Sequence, residues 1–206
     1  AAAVVEALRD ARPRGTEVVV TTLFDDQATV GALTSAFTDL AASARPEDAV
    51  VFYYAGHGAV VGQGAGKEYC FALHHVANMT DSAQLVQHGL LADSVRAHLL
   101  RIKAQRQTVI IDACYSGMMM ESFSEVDNAY YVSKLQRSTG ATVLASVMPN
   151  ARAKEVATLK HGLFTYALLN GLNGQARDAD GDVTVLSLLN DIAKAIPALS
   201  RKVGHD

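Results

Sequence analysis

The sequence predicts an α/β protein with a mostly parallel sheet, and three observations lead to this prediction. Apolar runs typical of strands alternate along the chain with segments whose apolar residues recur at helical spacing. Half of the 206 residues are hydrophobic, which is enough to bury one sizeable core. Four runs are apolar almost throughout, as are strands buried on both faces of a parallel sheet: residues 17–23, 49–55, 108–113 and 141–146.

Amphipathic segments between these runs are predicted to be the crossover helices. Thr29 and Asp93 stand where the N-caps of two of them would be, and residues 1–11 are also predicted to be helical. No internal repeat or Pro-rich linker divides the chain, so a single domain over 1–206 is predicted. In each segment the apolar residues share one helical face: Val30, Leu33, Phe37 and Leu40; Val95, Leu99 and Ile102; Val185, Leu188, Leu189, Ile192 and Ile196.

Charge and composition argue against several classes of function. The 18 basic and 21 acidic residues leave a formal net charge of −3, without the basic stripe that nucleic-acid binding needs. No apolar run approaches the roughly 18 residues that span a bilayer, so we expect a cytoplasmic protein without a membrane partner. The two cysteines, Cys70 and Cys114, are too few for a disulfide framework, which favours thiol chemistry.

Two predicted strands lead directly to side chains suited to thiol chemistry. One leads to His57, which lies between Gly56 and Gly58, and the other leads to Cys114. Because ligands of open α/β sheets bind beyond the carboxyl ends of the strands, both residues are expected at one edge of the sheet. There an imidazole can take the proton of a nucleophilic thiol, and the amides of Gly58 and Cys114 can point at an oxyanion.

Each of these residues also has a structural interpretation. His57 alone fits a hydrogen-bonded core histidine, and Cys114 alone fits a small buried hydrophobe. Their joint position at the ends of two core strands, each near glycine, favours catalysis. The glycines beside His57 are further expected to let another backbone approach closely.

The segments around His57 and Cys114 resemble the His and Cys boxes of caspase-like cysteine peptidases. Residues 54–58 read Tyr-Ala-Gly-His-Gly and residues 112–117 read Asp-Ala-Cys-Tyr-Ser-Gly, which is most similar to the metacaspase and bacterial orthocaspase branch. The His-to-Cys separation (114 − 57 = 57) is close to the roughly 50 residues of animal caspases. The resemblance continues through residues 161–168 and 178–185.

This resemblance implies a caspase-like three-layer sandwich, in which helices flank a mostly parallel central sheet. Residues 1–117 would correspond to the large subunit of such enzymes and residues 141–206 to the small subunit. The implied activity is that of a cysteine endopeptidase acting on proteins or peptides, with Cys114 as the nucleophile and His57 as the base. Cleavage after Arg or Lys is implied, rather than after Asp as in animal caspases.

Two acidic residues are candidates for the substrate pocket. Asp112 stands where animal caspases carry Gln, and residues two apart on a strand point the same way, so it lies on the side of Cys114. A carboxylate there would select a basic substrate side chain, and a buried structural carboxylate is the alternative. Glu155 stands near the position where related enzymes place a second pocket acid, and a solvated surface residue is its alternative.

The resemblance also implies regulation, as in a zymogen, within bacterial cell-death or antiviral defence. Lys134 and Arg137 are candidate self-cleavage sites, and exposed basic residues of an ordinary helix are the alternative. A caspase-like domain opens with a central strand, and none precedes residues 17–23. We therefore expect that strand outside this numbering, and an N-terminal fragment or a regulatory protein is an expected partner.

Neither a metal site nor a cofactor is predicted. Asp178, Asp180 and Asp182 are similar to the start of a calcium loop, but Val183 and Leu189 replace its Gly and Glu. A turn that caps the last helix is favoured, so the calcium activation known for some metacaspases is not assumed. Four further residues match no zinc spacing: Cys70, His74, His75 and His88.

Two other functions are compatible with the same residues. A caspase-like module without turnover would keep the fold as an interaction surface, although the intact His57 and Cys114 argue against it. A non-proteolytic thiol hydrolase or acyltransferase would use the same dyad on another substrate. Substrate testing separates this second alternative from proteolysis.

Overall fold

The computed structural model describes residues 2–12, 15–115, 136–146 and 162–202 of the chain. The chain forms two compact units, of which the larger comprises residues 21–150. The other comprises the first twenty residues and everything from residue 151 onward.

A mixed five-stranded sheet lies at the centre of the larger unit. Strands β1, β4 and β5 run parallel to one another, whereas β2 and β3 pair antiparallel at one side. The predicted α/β class and the mostly parallel centre of the sheet are therefore confirmed. In the spatial order β3-β2-β1-β4-β5, the strands are β1 (Ala49–Val61), β2 (Glu68–Phe71), β3 (Leu90–Leu91), β4 (Arg106–Tyr115) and β5 (Thr142–Ala145).

Four of the six helices in the described residues lie in segments predicted to be helical, whereas the helices at residues 82–88 and 163–170 were not predicted. Short turns of 3-10 or π type occur at Asp25–Gln27, Gly64–Gly66 and Gly171–Gln175. The helices are α1 (Ala2–Asp10), α2 (Val30–Ser43), α3 (Ser82–His88), α4 (Ala92–Leu99), α5 (Leu163–Asn170) and α6 (Val185–Lys202).

The two predicted N-caps have different outcomes. Thr29 caps α2, since its Oγ1 accepts a hydrogen bond from the Ala32 N–H at 3.2 Å. Asp93 lies inside the first turn of α4, so the prediction that it caps this helix was wrong. The Asp93 N–H instead donates to the carboxylate of Glu68 on β2 at 2.6 Å. A residue distant in sequence thus satisfies the amide that a local cap would otherwise satisfy.

One face of the sheet packs against α2 and α4. Val109 and Ile111 of β4 lie on this face, with Phe37 of α2 and both Val95 and Leu99 of α4 buried against it. Burial of a full-sized apolar side chain contributes about 1.5–3 kcal/mol, so this layer is a substantial part of what holds β4 and the helices together.

A side-chain amide further fixes the end of α4. Nε2 of Gln107 on β4 lies 2.9 Å from the carbonyl of Ala104 and 3.2 Å from those of Leu99 and Ile102. These are carbonyls of the last turn and of the segment that follows it, where helices leave acceptors unsatisfied. These hydrogen bonds fix the segment between α4 and β4 relative to β4 and to the end of α4.

The sequence prediction of a strand at residues 17–23 was wrong for this structure. Residues 16–24 form neither strand nor helix, and Val19 is 84% exposed. An apolar, β-branched run favours an extended backbone, but a strand forms only where a neighbour supplies its hydrogen bonds.

The central strand β1 has one incompletely paired edge. It pairs with β4 from Ala49 to Gly58, but with β2 only from Gly58 to Val61. Within the described part of the chain, residues 49–56 therefore have no strand on the side opposite β4. Val51, in this stretch, is 44% exposed.

The described part of the smaller unit includes the helices α1, α5 and α6. A turn precedes α6, in which Oδ1 of Asp178 accepts the N–H groups of Asp180 at 3.1 Å and Asp182 at 3.0 Å. The predicted turn is therefore present, but the residue that caps the helix lies after it, because Oγ1 of Thr184 accepts the Ser187 N–H at 3.1 Å. No helix in the described ranges is both long and apolar enough to cross a membrane. The buried apolar side chains of the smaller unit include Val4, Ala7, Phe164, Ala167, Leu168, Leu188 and Ile192.

Candidate active site

The pairing of β1 with β4 brings the predicted base beside the predicted nucleophile. In the parallel register His57 stands opposite Cys114, and Ala55 stands opposite Asp112. Since neighbouring strands lie about 4.8 Å apart, the backbones at positions 57 and 114 are adjacent. Both lie at the carboxyl end of the paired stretch, where open α/β sheets bind their ligands.

Strand alternation places three of the predicted site positions on one face of the sheet. Positions 57, 112 and 114 share a face, because successive residues of a strand alternate and parallel partners point the same way. This is the face opposite the one that packs on α2 and α4. The His57 side chain is exposed and Asp112 is half-buried.

The glycines on either side of His57 make room for two tyrosine hydroxyls. A Cβ on Gly56 would lie 2.6 Å from Oη of Tyr54, and a Cβ on Gly58 would overlap the hydroxyl of Tyr69. The expectation that another backbone approaches these glycines was therefore wrong, because the nearest atoms are those of side chains. Both glycines are required by packing on the face away from His57.

The Tyr54 hydroxyl contacts the peptide group that follows His57. Its Oη lies 2.6 Å from the carbonyl oxygen of His57 and 2.7 Å from that of Ala72. The Ala72 N–H donates to the same His57 carbonyl at 2.9 Å. Burial raises the pKa of Tyr54 far above its ordinary value, with smaller contributions from Tyr69 and Cys70, so the hydroxyl remains a hydrogen-bond donor at every working pH.

The second cysteine lies in a different environment. Cys70 on β2 is fully buried, and its Sγ donates to the carbonyl of Leu85 at 3.3 Å. Burial, and to a smaller extent the charge of Glu68, raises the pKa of the Cys70 thiol to about 12. Because the thiolate is the reactive form, Cys70 is inert near neutral pH.

The structure does not test the remaining predicted residues as part of this site. Glu155 and Lys134 lie outside the described residues, and Arg137 is exposed at the start of the segment that leads to β5. The oxyanion role of the Gly58 and Cys114 amides stays a prediction.

Three histidines near β2 lie close together. The rings of His74 and His75 are 5.1 Å apart, and those of His75 and His88 are 5.9 Å apart. Within the described segments, no three His, Cys, Asp or Glu side chains are arranged to hold a metal ion.

Sequence reasoning missed the three aromatic residues beneath His57. Phe71 packs edge-on against both tyrosines, at 4.9 Å and 73° for Tyr54 and at 4.9 Å and 75° for Tyr69. We refer to Tyr54, Phe71 and Tyr69 as the aromatic cluster. The signal for Tyr54 was its spacing, because a tyrosine two residues before a glycine on a strand can lie over that glycine.

Comparison with known proteins places this geometry in a family. The model of the caspase domain, a domain of cysteine peptidases, matches residues 8–203. The chain belongs to the caspase-domain family. No curated protein matches the sequence. A crystal structure of protein GSU0716 from Geobacter sulfurreducens is similar in fold, with a TM-score of 0.52 and 18% identity over 85% of this chain and 72% of that one.

Membership of the caspase-domain family fixes the general chemistry. The chain has the fold of a caspase-like cysteine peptidase, and its class of activity is thiol-dependent hydrolysis. Such chemistry needs a thiolate beside a proton acceptor. In the described sheet, the register of β1 against β4 places the position of a histidine, His57, opposite that of a cysteine, Cys114.

Proposed function

We propose that the chain is an endopeptidase of the metacaspase and orthocaspase branch that cleaves proteins after Arg or Lys. Cys114 attacks the scissile carbonyl as a thiolate, and His57 takes the thiol proton and delivers it to the leaving amine. Water, deprotonated by His57, then releases the acyl-enzyme. The observation that carries the proposal is the alignment of His57 with Cys114 on adjacent parallel strands.

The burial of Cys70 supports the assignment of the nucleophile to Cys114. Cys70 is enclosed in the core, and its raised pKa leaves it protonated at neutral pH. His57 is exposed at the end of the β1–β4 pairing, where a substrate can reach it. In this proposal the amides of Gly58 and Cys114 hold the oxyanion, which typically contributes about 10²–10³ in rate.

The preference for a basic substrate residue rests on Asp112. Its position is two residues before Cys114 on β4 and opposite Ala55. A half-buried carboxylate beside the nucleophile would pair with the cationic side chain that precedes the scissile bond. Glu155 is proposed as a second acid of the same pocket.

A panel of fluorogenic peptides tests the proposed activity. Peptides with Arg or Lys before the scissile bond should be hydrolysed, and otherwise identical peptides with Asp should not. Cys114→Ala should reduce kcat/KM by at least ~10³-fold, because it removes the nucleophile. The matched control is Cys70→Ser, which keeps a donor for the Leu85 carbonyl and should retain activity.

Three results would contradict this prediction. Equal activity in Cys114→Ala would exclude Cys114 as the nucleophile, and loss of activity in Cys70→Ser with the fold intact would point to the wrong cysteine. Hydrolysis of small thioesters without cleavage of any peptide would indicate a non-proteolytic thiol hydrolase. Circular dichroism of each variant establishes that the fold is retained.

Substitution of Asp112 tests the specificity pocket. Asp112→Asn keeps the shape of the side chain but removes the charge, so kcat/KM for Arg and Lys peptides should fall by about 10- to 100-fold, the value of a charge-assisted hydrogen bond. Hydrolysis of an uncharged Gln peptide should change little. An equal fall for the Arg and Gln peptides would show that Asp112 supports the structure rather than the selection of substrate.

Regulation is proposed at the open edge of β1. Residues 49–56 carry no charge and are apolar on both faces, as central strands are, yet they lack a strand opposite β4 in the described segments. We propose that an extended segment from outside residues 1–206 pairs there, on an N-terminal fragment of the same cytoplasmic polypeptide. Release of activity would then depend on this assembly or on self-cleavage at Lys134 or Arg137.

Hydrogen exchange of the 206-residue chain tests the proposed edge. Every second amide of residues 49–56 faces away from β4 and should exchange rapidly, whereas the alternate amides, bonded to β4, should be protected. A polypeptide that includes the additional strand should protect both sets. Slow exchange of all these amides in residues 1–206 alone would contradict an open edge.

A further inference from the structure

We propose that Tyr54 is a positioning residue for His57, acting through a hydrogen bond to the peptide group that follows the imidazole-bearing residue. The proposal rests on the proposed function, because it takes His57 to be the base for Cys114. Tyr54 itself lies on the opposite face of the sheet from His57 and does not touch the substrate.

The Tyr54 hydroxyl adds hydrogen bonds between β1 and the segment after β2, beyond the stretch in which the two strands pair. Strand pairing begins at Gly58, and the His57 carbonyl accepts one further backbone hydrogen bond, from Ala72. Oη of Tyr54 lies within hydrogen-bond distance of the carbonyls of both His57 and Ala72. A hydroxyl has one proton, so it is shared between two acceptors that belong to different segments.

The ring of Tyr54 is itself held in place. It reaches the His57 carbonyl because Gly56 has no Cβ in its path. Phe71 packs against it edge-on, and Tyr69 on the other side of Phe71 occupies the space over Gly58. The aromatic cluster thus covers the backbone on both sides of His57.

This support matters because the edge of β1 that faces away from β4 is only partly paired in the described segments. In the described segments no strand pairs with residues 49–56 opposite β4, and the β2 pairing starts only at Gly58. The Tyr54 hydroxyl acts at the junction between these two stretches. A displacement of ~1 Å between reacting groups can reduce a rate by about 10²-fold, so a small shift of the His57 peptide is enough to affect catalysis.

The test is Tyr54→Phe, which removes the hydroxyl and keeps the ring against Phe71. We expect kcat, per active site titrated with a covalent inhibitor, to fall by about 10-fold, while KM stays within about twofold. The rate of Cys114 alkylation by iodoacetamide should also fall at pH 6–7, where reactivity depends on the imidazole. The matched control is Tyr166→Phe on α5, outside the aromatic cluster.

A merely structural role would lower the melting temperature without changing kcat per titrated site or the pH profile of alkylation. That result, or an equal effect of Tyr166→Phe, would overturn the proposal. If Tyr54→Phe does not fold, Gly56→Ala, which displaces the hydroxyl by its new Cβ, must slow alkylation for the proposal to stand.

The alkylation profile separates this inference from the proposed function. If the wild-type protein cleaves no peptide, proteolysis fails as the function, yet a low-pH reactivity of Cys114 that depends on Tyr54 would still establish the positioning role. If the wild-type profile shows an ordinary thiol at Cys114, there is no dyad for Tyr54 to position, and the inference is overturned.

Discussion

The register between β1 and β4 is the constraint on which the rest of the site depends. A slip of β4 by one residue would move position 114 to the face of α2 and α4 and would expose Val109 and Ile111, so burial of the core and alignment of the site select the same pairing. The hydrophobic pattern of β4 therefore also determines which residues can react. Nothing in the thiol or the imidazole alone specifies that they meet.

The two faces of β1 differ in exposure at its carboxyl end. The face that includes His57 is open at that residue, while the other face is covered by the aromatic cluster. Gly56 and Gly58 make this difference possible, because the absence of their side chains lets two tyrosines pack against the backbone on the face opposite His57. The position of His57 between glycines is thus explained by packing as well as by the access that the proposed base would need.

Much of this arrangement could be predicted from local sequence, and the exceptions have physical causes. The continuous apolar runs predicted β1, β4 and β5 because burial on both faces is a property of the run itself. The prediction of a strand at residues 17–23 was wrong because an apolar run does not itself provide a neighbouring strand to pair with. The prediction of Asp93 as an N-cap was wrong because Glu68, which is distant in sequence, accepts the hydrogen bond of the Asp93 N–H. The register and the Tyr54 contacts join separate segments, which spacing alone does not reveal.

The central claim is that Cys114 is the nucleophile for substrates with a basic side chain. A peptidyl chloromethyl ketone ending in Arg forms a covalent bond with the thiol it meets, and peptide mapping by mass spectrometry locates the adduct. We predict one adduct per chain on Cys114, strongly slowed in His57→Ala, with Cys70 unmodified. An adduct on any other residue, or equal labelling of Cys114→Ala, would contradict the account.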